Sequence, residues 1–195
     1  MKLLLHICCA PCIAAPLAEL RRQHDVTGFF HNPNIHPLLE FRKRLRAVEV
    51  FAEQEKLSVI YRRDYGLASF LRQVGPDTPD RCTVCYRMRV DAVARAAREG
   101  GFAAFTTSLL FSRQQRHDRV KEIAAQAAER EGVQFLYADL RHMVDQSMEI
   151  ARKRSLYRQQ YCGCIFSEYD RYADPGGSAD PGGSRDRDAA GNRPA

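Results

Sequence analysis

Seven cysteines fall into three groups: Cys8, Cys9 and Cys12 in LHICCAPC, Cys82 and Cys85 in CTVC, and Cys162 and Cys164 in YCGC. Thiolates bind soft metals, transfer electrons through disulfides or attack electrophiles, so this clustering points to metal or redox chemistry. An odd count cannot pair completely within one chain, and seven thiols outside a secreted setting are poor candidates for a disulfide framework. A structural zinc takes four ligands and leaves three thiols over. An iron–sulfur cluster also takes four cysteines, but its irons sit at separate corners, which suits the adjacent Cys8 and Cys9. Cluster, zinc and redox dithiol all remain open on these residues alone. A thioredoxin-like role fits CTVC poorly, because that motif does not follow the first strand.

The elements that must position these sulfurs alternate. Strand-like runs cover 2–7, 26–31, 57–62, 102–107 and 133–138, and helical patterns cover 15–24, 38–56, 85–100 and 113–132. In the second helical pattern Leu38, Phe41, Leu45, Val48, Phe51 and Ala52 share a face, which leaves Arg42, Lys43, Arg44 and Arg46 largely to solvent. Gly100, Gly101 and Gly132 mark helix ends. A last helix over about 145–160 would carry YCGC at its end. The pattern predicts an α/β fold: a mostly parallel sheet of about five strands flanked by helices, with a C-terminal helical extension.

Ligands of open parallel sheets bind beyond the carboxyl ends of the strands. Cys8, Cys9 and Cys12 follow the first strand, His31 and Asn32 the second, Asp64 the third, Thr107 and Ser108 the fourth and Asp139 the fifth. The CTVC cysteines would lie one turn apart at a helix start, where free amide groups favour thiolate. The chain has 195 residues, 45% of them hydrophobic, enough for one compact domain over 1–172. Residues 173–195, with DPGGS twice and few large apolar residues, read as a flexible low-complexity tail. The net charge of +6 favours a polyanionic partner. No apolar stretch is long enough to span a bilayer and the N-terminus is unlike a signal peptide, so a cytoplasmic protein is expected.

Taken together, LHICCAPC, FFHNPNIHPLLEFRKRL, RCTVCYRMR, FTTSLLFSRQQRHD and SLYRQQYCGCIFSEYDR resemble the epoxyqueuosine reductase family of the QueH type, over about residues 3–172. The resemblance implies a Rossmann-like (HUP-type) iron–sulfur enzyme that removes the epoxide oxygen of epoxyqueuosine at the tRNA wobble position. It implies a [4Fe-4S] cluster on Cys8, Cys9, Cys82 and Cys85. Cys162 and Cys164, with Cys12, would form a redox-active pair or hold a second, mononuclear iron. Position 12 departs from many relatives, which carry Asp there. Sulfur in place of oxygen would make that metal less Lewis acidic.

The reaction takes two electrons and two protons, and no dinucleotide fingerprint is present, so a ferredoxin- or flavodoxin-type donor is implied. His31, Tyr86, Tyr161 and Asp139 are candidate proton donors. RKRLR (42–46), SRQQRHDR (112–119) and ARKRSLYR (151–158) could meet tRNA phosphates, with Arg152, Arg154, Tyr157 and Arg158 as first choice and His31 and Asn32 shaping the pocket. Two rivals are weaker. An ATP-using tRNA-modifying enzyme would need a Ser/Gly-rich phosphate loop where CCAPC stands, and a zinc-stabilised RNA-binding module leaves three thiols unexplained.

Overall fold

The computed structural model describes residues 1–173. The expected tail, 173–195, lies outside them apart from Ala173. Five parallel strands form one sheet: β1 (Lys2–His6), β2 (Asp25–Phe30), β3 (Val59–Tyr61), β4 (Ala104–Thr107) and β5 (Gln134–Phe135), in spatial order β3-β2-β1-β4-β5. The α/β expectation is met. Strand order reverses at β1, so the crevice beyond His6 and Thr107, paired in register, is where a ligand of this architecture sits.

Alternation along β1 explains the layers. Leu3, Leu5 and Ile7 pack with α1 (Pro16–Arg21) and α2 (Leu38–Gln54) on one face, while Leu4 packs with Phe29, Phe105 and two helices on the other. Those two are α4 (Arg81–Glu99) and α5 (His117–Glu131). A run apolar on both faces is what a central parallel strand requires, and each fully buried Leu contributes roughly 1.5–3 kcal/mol. The edge strands β3 and β5 are shorter than the strand-like runs 57–62 and 133–138.

The C-terminal part departs from expectation. The predicted helix over 145–160 is α6 (Val144–Lys153), and YCGC lies in the loop between it and α7 (Ile165–Tyr172). The helix stops because Ser155 takes a left-handed conformation (φ 51°), so that Ser155 N–H donates to Arg152 O at 3.1 Å and Leu156 N–H to Ala151 O at 2.9 Å. Gly132 closes α5 in the same way at φ 64°. A further short helix, α3 (Leu67–Gln73), also went unpredicted. No helix among the described residues is long and apolar enough to cross a membrane.

Candidate metal and active site

The strand ends are laced together by buried polar side chains. His6 Nδ1 meets Thr107 Oγ1 at 2.9 Å, its Nε2 meets His31 O at 3.2 Å, and Asn32 Nδ2 donates to Ile7 O at 2.9 Å. Burial, helped by the nearby Arg89 charge, pushes the His6 pKa down to about 3, so the ring is neutral. Beyond this lattice Ser108 Oγ accepts from Cys8 N–H at 3.0 Å and lies 3.2 Å from Cys8 Sγ. The sulfurs of Cys8, Cys9 and Cys12 all lie within 4.8 Å of one another. Cys9 and Cys12 are joined as a disulfide, with Gln159 Nε2 donating to Cys9 Sγ at 3.2 Å.

The second group starts α4. Asp80 caps this helix, accepting from Thr83 N–H at 3.2 Å and from its hydroxyl at 2.6 Å. Cys82 is exposed and Cys85 buried. Burial pushes both thiols up, Cys85 to about 12, so the thiolate expected at a helix start is not favoured in the metal-free protein. Arg89, one turn further on, is 2% exposed and donates to Cys85 Sγ at 3.2 Å and to Cys85 O at 3.1 Å. Burial pushes the Cys8 thiol up, against the opposing pull of the Ser108 hydrogen bond and the Arg89 charge.

The third group is held by α2. Arg44, expected in solvent, is 2% exposed: it pairs with Glu40 at 2.7 Å and donates to the carbonyls of Tyr161 and Cys162 at 2.9 Å each. Gly163 sits at φ 139°, where a Cβ would come within 3.1 Å of the Arg44 guanidinium, so glycine is required for the loop to close on it. His36 N–H donates to Gly163 O at 2.7 Å, and Cys164 caps α7 through its sulfur. Cys162 is exposed, and Gln115 Nε2 donates to its sulfur at 3.3 Å.

The first and third groups border a cavity of about 570 Å³, whose wall includes Cys8, Cys12, Cys162, Arg44, Arg89 and Tyr161; of the second group's helix it is Arg89, not Cys82 or Cys85, that reaches the wall. Cys162 shares the cavity wall with Cys8 and Cys12. Cys164 packs against the cluster that holds Cys85.

The donor set fits an anionic metal–thiolate centre. Among the described residues Arg89 has no carboxylate partner; it donates to Cys85 Sγ, lies by the Tyr86 ring and shares the cavity wall with Cys8, Cys12 and Cys162. A buried cation facing neutral thiols is costly, whereas deprotonated sulfurs on a metal supply the missing negative charge. Soft sulfur donors suit zinc or an iron–sulfur cluster rather than magnesium or calcium. The Cys9–Cys12 bond has to be reduced before either sulfur can be a ligand.

The family model for epoxyqueuosine reductase QueH matches residues 3–170. The chain belongs to this family. An epoxyqueuosine reductase QueH of Dehalococcoides mccartyi is 37% identical over 91% of this chain and 98% of its own. The Thermotoga maritima protein of the same name is 32% identical over 86% and 91%, and that of Acinetobacter baylyi 34% over 87% and 81%.

The residues expected in the site divide between those on the cavity wall and those off it. Cys8, Cys9 and Cys12 gather beyond β1, Cys8 and Cys12 share the cavity wall with Cys162, and Cys82 and Cys85 do not line that cavity. Of the proton-donor candidates only Tyr161 lines the cavity; Asp139 is bound by Arg141, and Tyr86 accepts from Arg116 N–H at 3.2 Å. Burial holds the Tyr161 hydroxyl protonated, and it donates to His36 O. Asn32 is buried within the lattice of strand ends, and His31, Arg152, Arg154, Tyr157 and Arg158 lie off the cavity wall. Arg154 pairs with Glu55 and lies over the Phe51 ring. Arg44 and Arg89 were missed. Their spacing held a signal, since Glu40–Arg44 and Cys85–Arg89 are each i,i+4 pairs on one helix face.

Proposed function

We propose that this chain reduces the epoxide of epoxyqueuosine at the wobble position of tRNA to the alkene of queuosine. Two C–O bonds break, a C=C bond forms and the oxygen leaves as water, which consumes two electrons and two protons. Cys8, Cys9, Cys82 and Cys85 are assigned to a [4Fe-4S] cluster, and Cys12, Cys162 and Cys164 to a second centre, either a redox dithiol or a mononuclear iron. A bound cluster supplies electrons singly, and an iron beside it supplies Lewis acidity toward the oxygen. The electrons come from a ferredoxin- or flavodoxin-type donor in the cytoplasm.

The observation that carries this reading is Arg89, a buried cation that donates to Cys85 Sγ, behind a cavity walled by Cys8, Cys12 and Cys162 from two separate motifs. The protein's own groups do the positioning. Arg44 holds the Tyr161–Cys162 backbone against the cavity, and Gln115 and Gln159 direct amide N–H groups at sulfur. Donors aimed at sulfur favour its anionic form. The cavity also falls within the usual size range for a small-molecule site.

The test is to incubate the iron-loaded chain with epoxyqueuosine-bearing tRNA and dithionite, then analyse the nucleosides by mass. Product lacking one oxygen is expected. Unchanged epoxide alongside a demonstrably reduced metal centre would overturn the reading.

A further inference from the structure

A second cavity, of about 470 Å³, opens between α2 and the turn that follows α6. Its floor is apolar, made by Leu39, Val50, Leu156 and Tyr157, and its rim carries Arg42, Lys43 and Arg46. Leu39 is 65% exposed, an unusual position for a large aliphatic side chain with nothing over it. Among the described residues Arg42 and Lys43 have no carboxylate partner, and no acidic side chain lines the groove. Lys43 Nζ stands 5.7 Å from the centre of the Tyr157 ring.

From this groove we infer a binding subsite for a nucleotide that neighbours the reacting one in the RNA strand, its base on the apolar floor and its phosphates on Arg42 and Lys43. The inference rests on the tRNA reading above. One loop forms a wall of both cavities: Ser155–Tyr157 face the groove, and Gln159–Cys162 face the sulfur site. On α2, Lys43 lines the groove and its neighbour Arg44 lines the sulfur cavity. A strand with its reactive base among the cysteines therefore crosses this loop and meets the groove next. Stacking surface combined with cations along a concave track is how single-stranded nucleic acid is held. An acidic electron-donor protein would also meet positive charge here. It presents a broad convex face, however, and a concave slot with an apolar floor suits a planar base better.

The test is binding of an unmodified anticodon stem-loop RNA, followed by fluorescence anisotropy across a salt series. The variants are Arg42→Ala/Lys43→Ala and a control, Lys2→Ala/Arg22→Ala, which removes the same charge at the start of β1 and the end of α1. Two lost single-strand phosphate contacts lower the steepness of log Kobs against log salt by about 1.4, with affinity reduced on the order of tenfold at moderate salt. The control should leave both quantities near wild type. Equal effects of the two variants would overturn the subsite, because general charge would then explain binding. Unchanged RNA affinity with slower reduction by flavodoxin would overturn it in favour of a protein partner. A wild-type chain with no affinity for the RNA would remove the tRNA reading itself, and the subsite with it.

Discussion

Arg44→Met should damage this protein in two separable ways. The guanidinium makes one buried ion pair, at 2.7 Å to Glu40, and two hydrogen bonds to carbonyls at 2.9 Å. Removing it leaves the Glu40 carboxylate buried with the Tyr157 hydroxyl beside it. Breaking a buried pair by deleting one partner costs about 3–5 kcal/mol. Glu40→Gln/Arg44→Met removes the stranded charge, so about 2 kcal/mol of that loss should return, with the two carbonyls of Tyr161 and Cys162 still short of a donor. Urea unfolding of the metal-free proteins reads the stability, and epoxide reduction reads the site. Stability should recover partly in the double variant while activity stays low, because the loop carrying Cys162 has lost its anchor in both. A single variant within about 1 kcal/mol of wild type, or a double variant less stable than the single, would refute this reasoning.

Three other perturbations test different links. Arg89→Met should leave the metal-free protein as stable as wild type or more so, since a buried cation facing neutral thiols is removed. Iron retention under chelator challenge should fall ten- to a hundredfold, the equivalent of about 1.5–3 kcal/mol for a charge-assisted hydrogen bond. Unchanged retention would separate Arg89 from the metal. Asp80→Ala removes the cap of α4 and should cost about 1 kcal/mol in thermal or urea unfolding, whereas Asp80→Asn should cost less; equal losses would refute the cap. His36, buried beside Phe70 and Tyr65, has its pKa pushed down to about 4 by burial, and its neutral form matches its partners: Nε2 faces Pro33 O and Nδ1 accepts from Ile165 N–H. The unfolded chain takes up this proton near pH 6.5 and the folded one near 4, so stability is full above 6.5 and is lost as pH falls toward 4. At most about 3 kcal/mol is involved, and His36→Gln should flatten that part of the pH profile; an unaltered profile would refute it.

Much of the fold could be read along the chain because local pattern and global architecture agree. The leucines of β1, the apolar faces of α4 and α5 and the glycines that end those two helices each announce an element. The end of α6 was illegible for a definite reason: Ser155 occupies the left-handed position that glycine fills after α5, and nothing in its chemistry marks it. The short helices α3 and α7 carry too little of the core to show a period, with Phe70 alone buried in α3 and no residue fully buried in α7. In the site, the grouping of Cys8, Cys9 and Cys12 beyond β1 was legible. The buried arginines were not, because what draws a charge inward comes from far along the chain. Arg44 reaches carbonyls more than a hundred residues away, and Arg89 shares a cavity wall with Cys8 and Cys162.

The most direct measurement of the central claim is anaerobic purification with iron, sulfide and zinc analysis, and a visible spectrum before and after dithionite. The account predicts several irons with matching sulfide and a brown absorption that bleaches on reduction. Zinc alone, with no bleachable chromophore after cluster reconstitution, would contradict it.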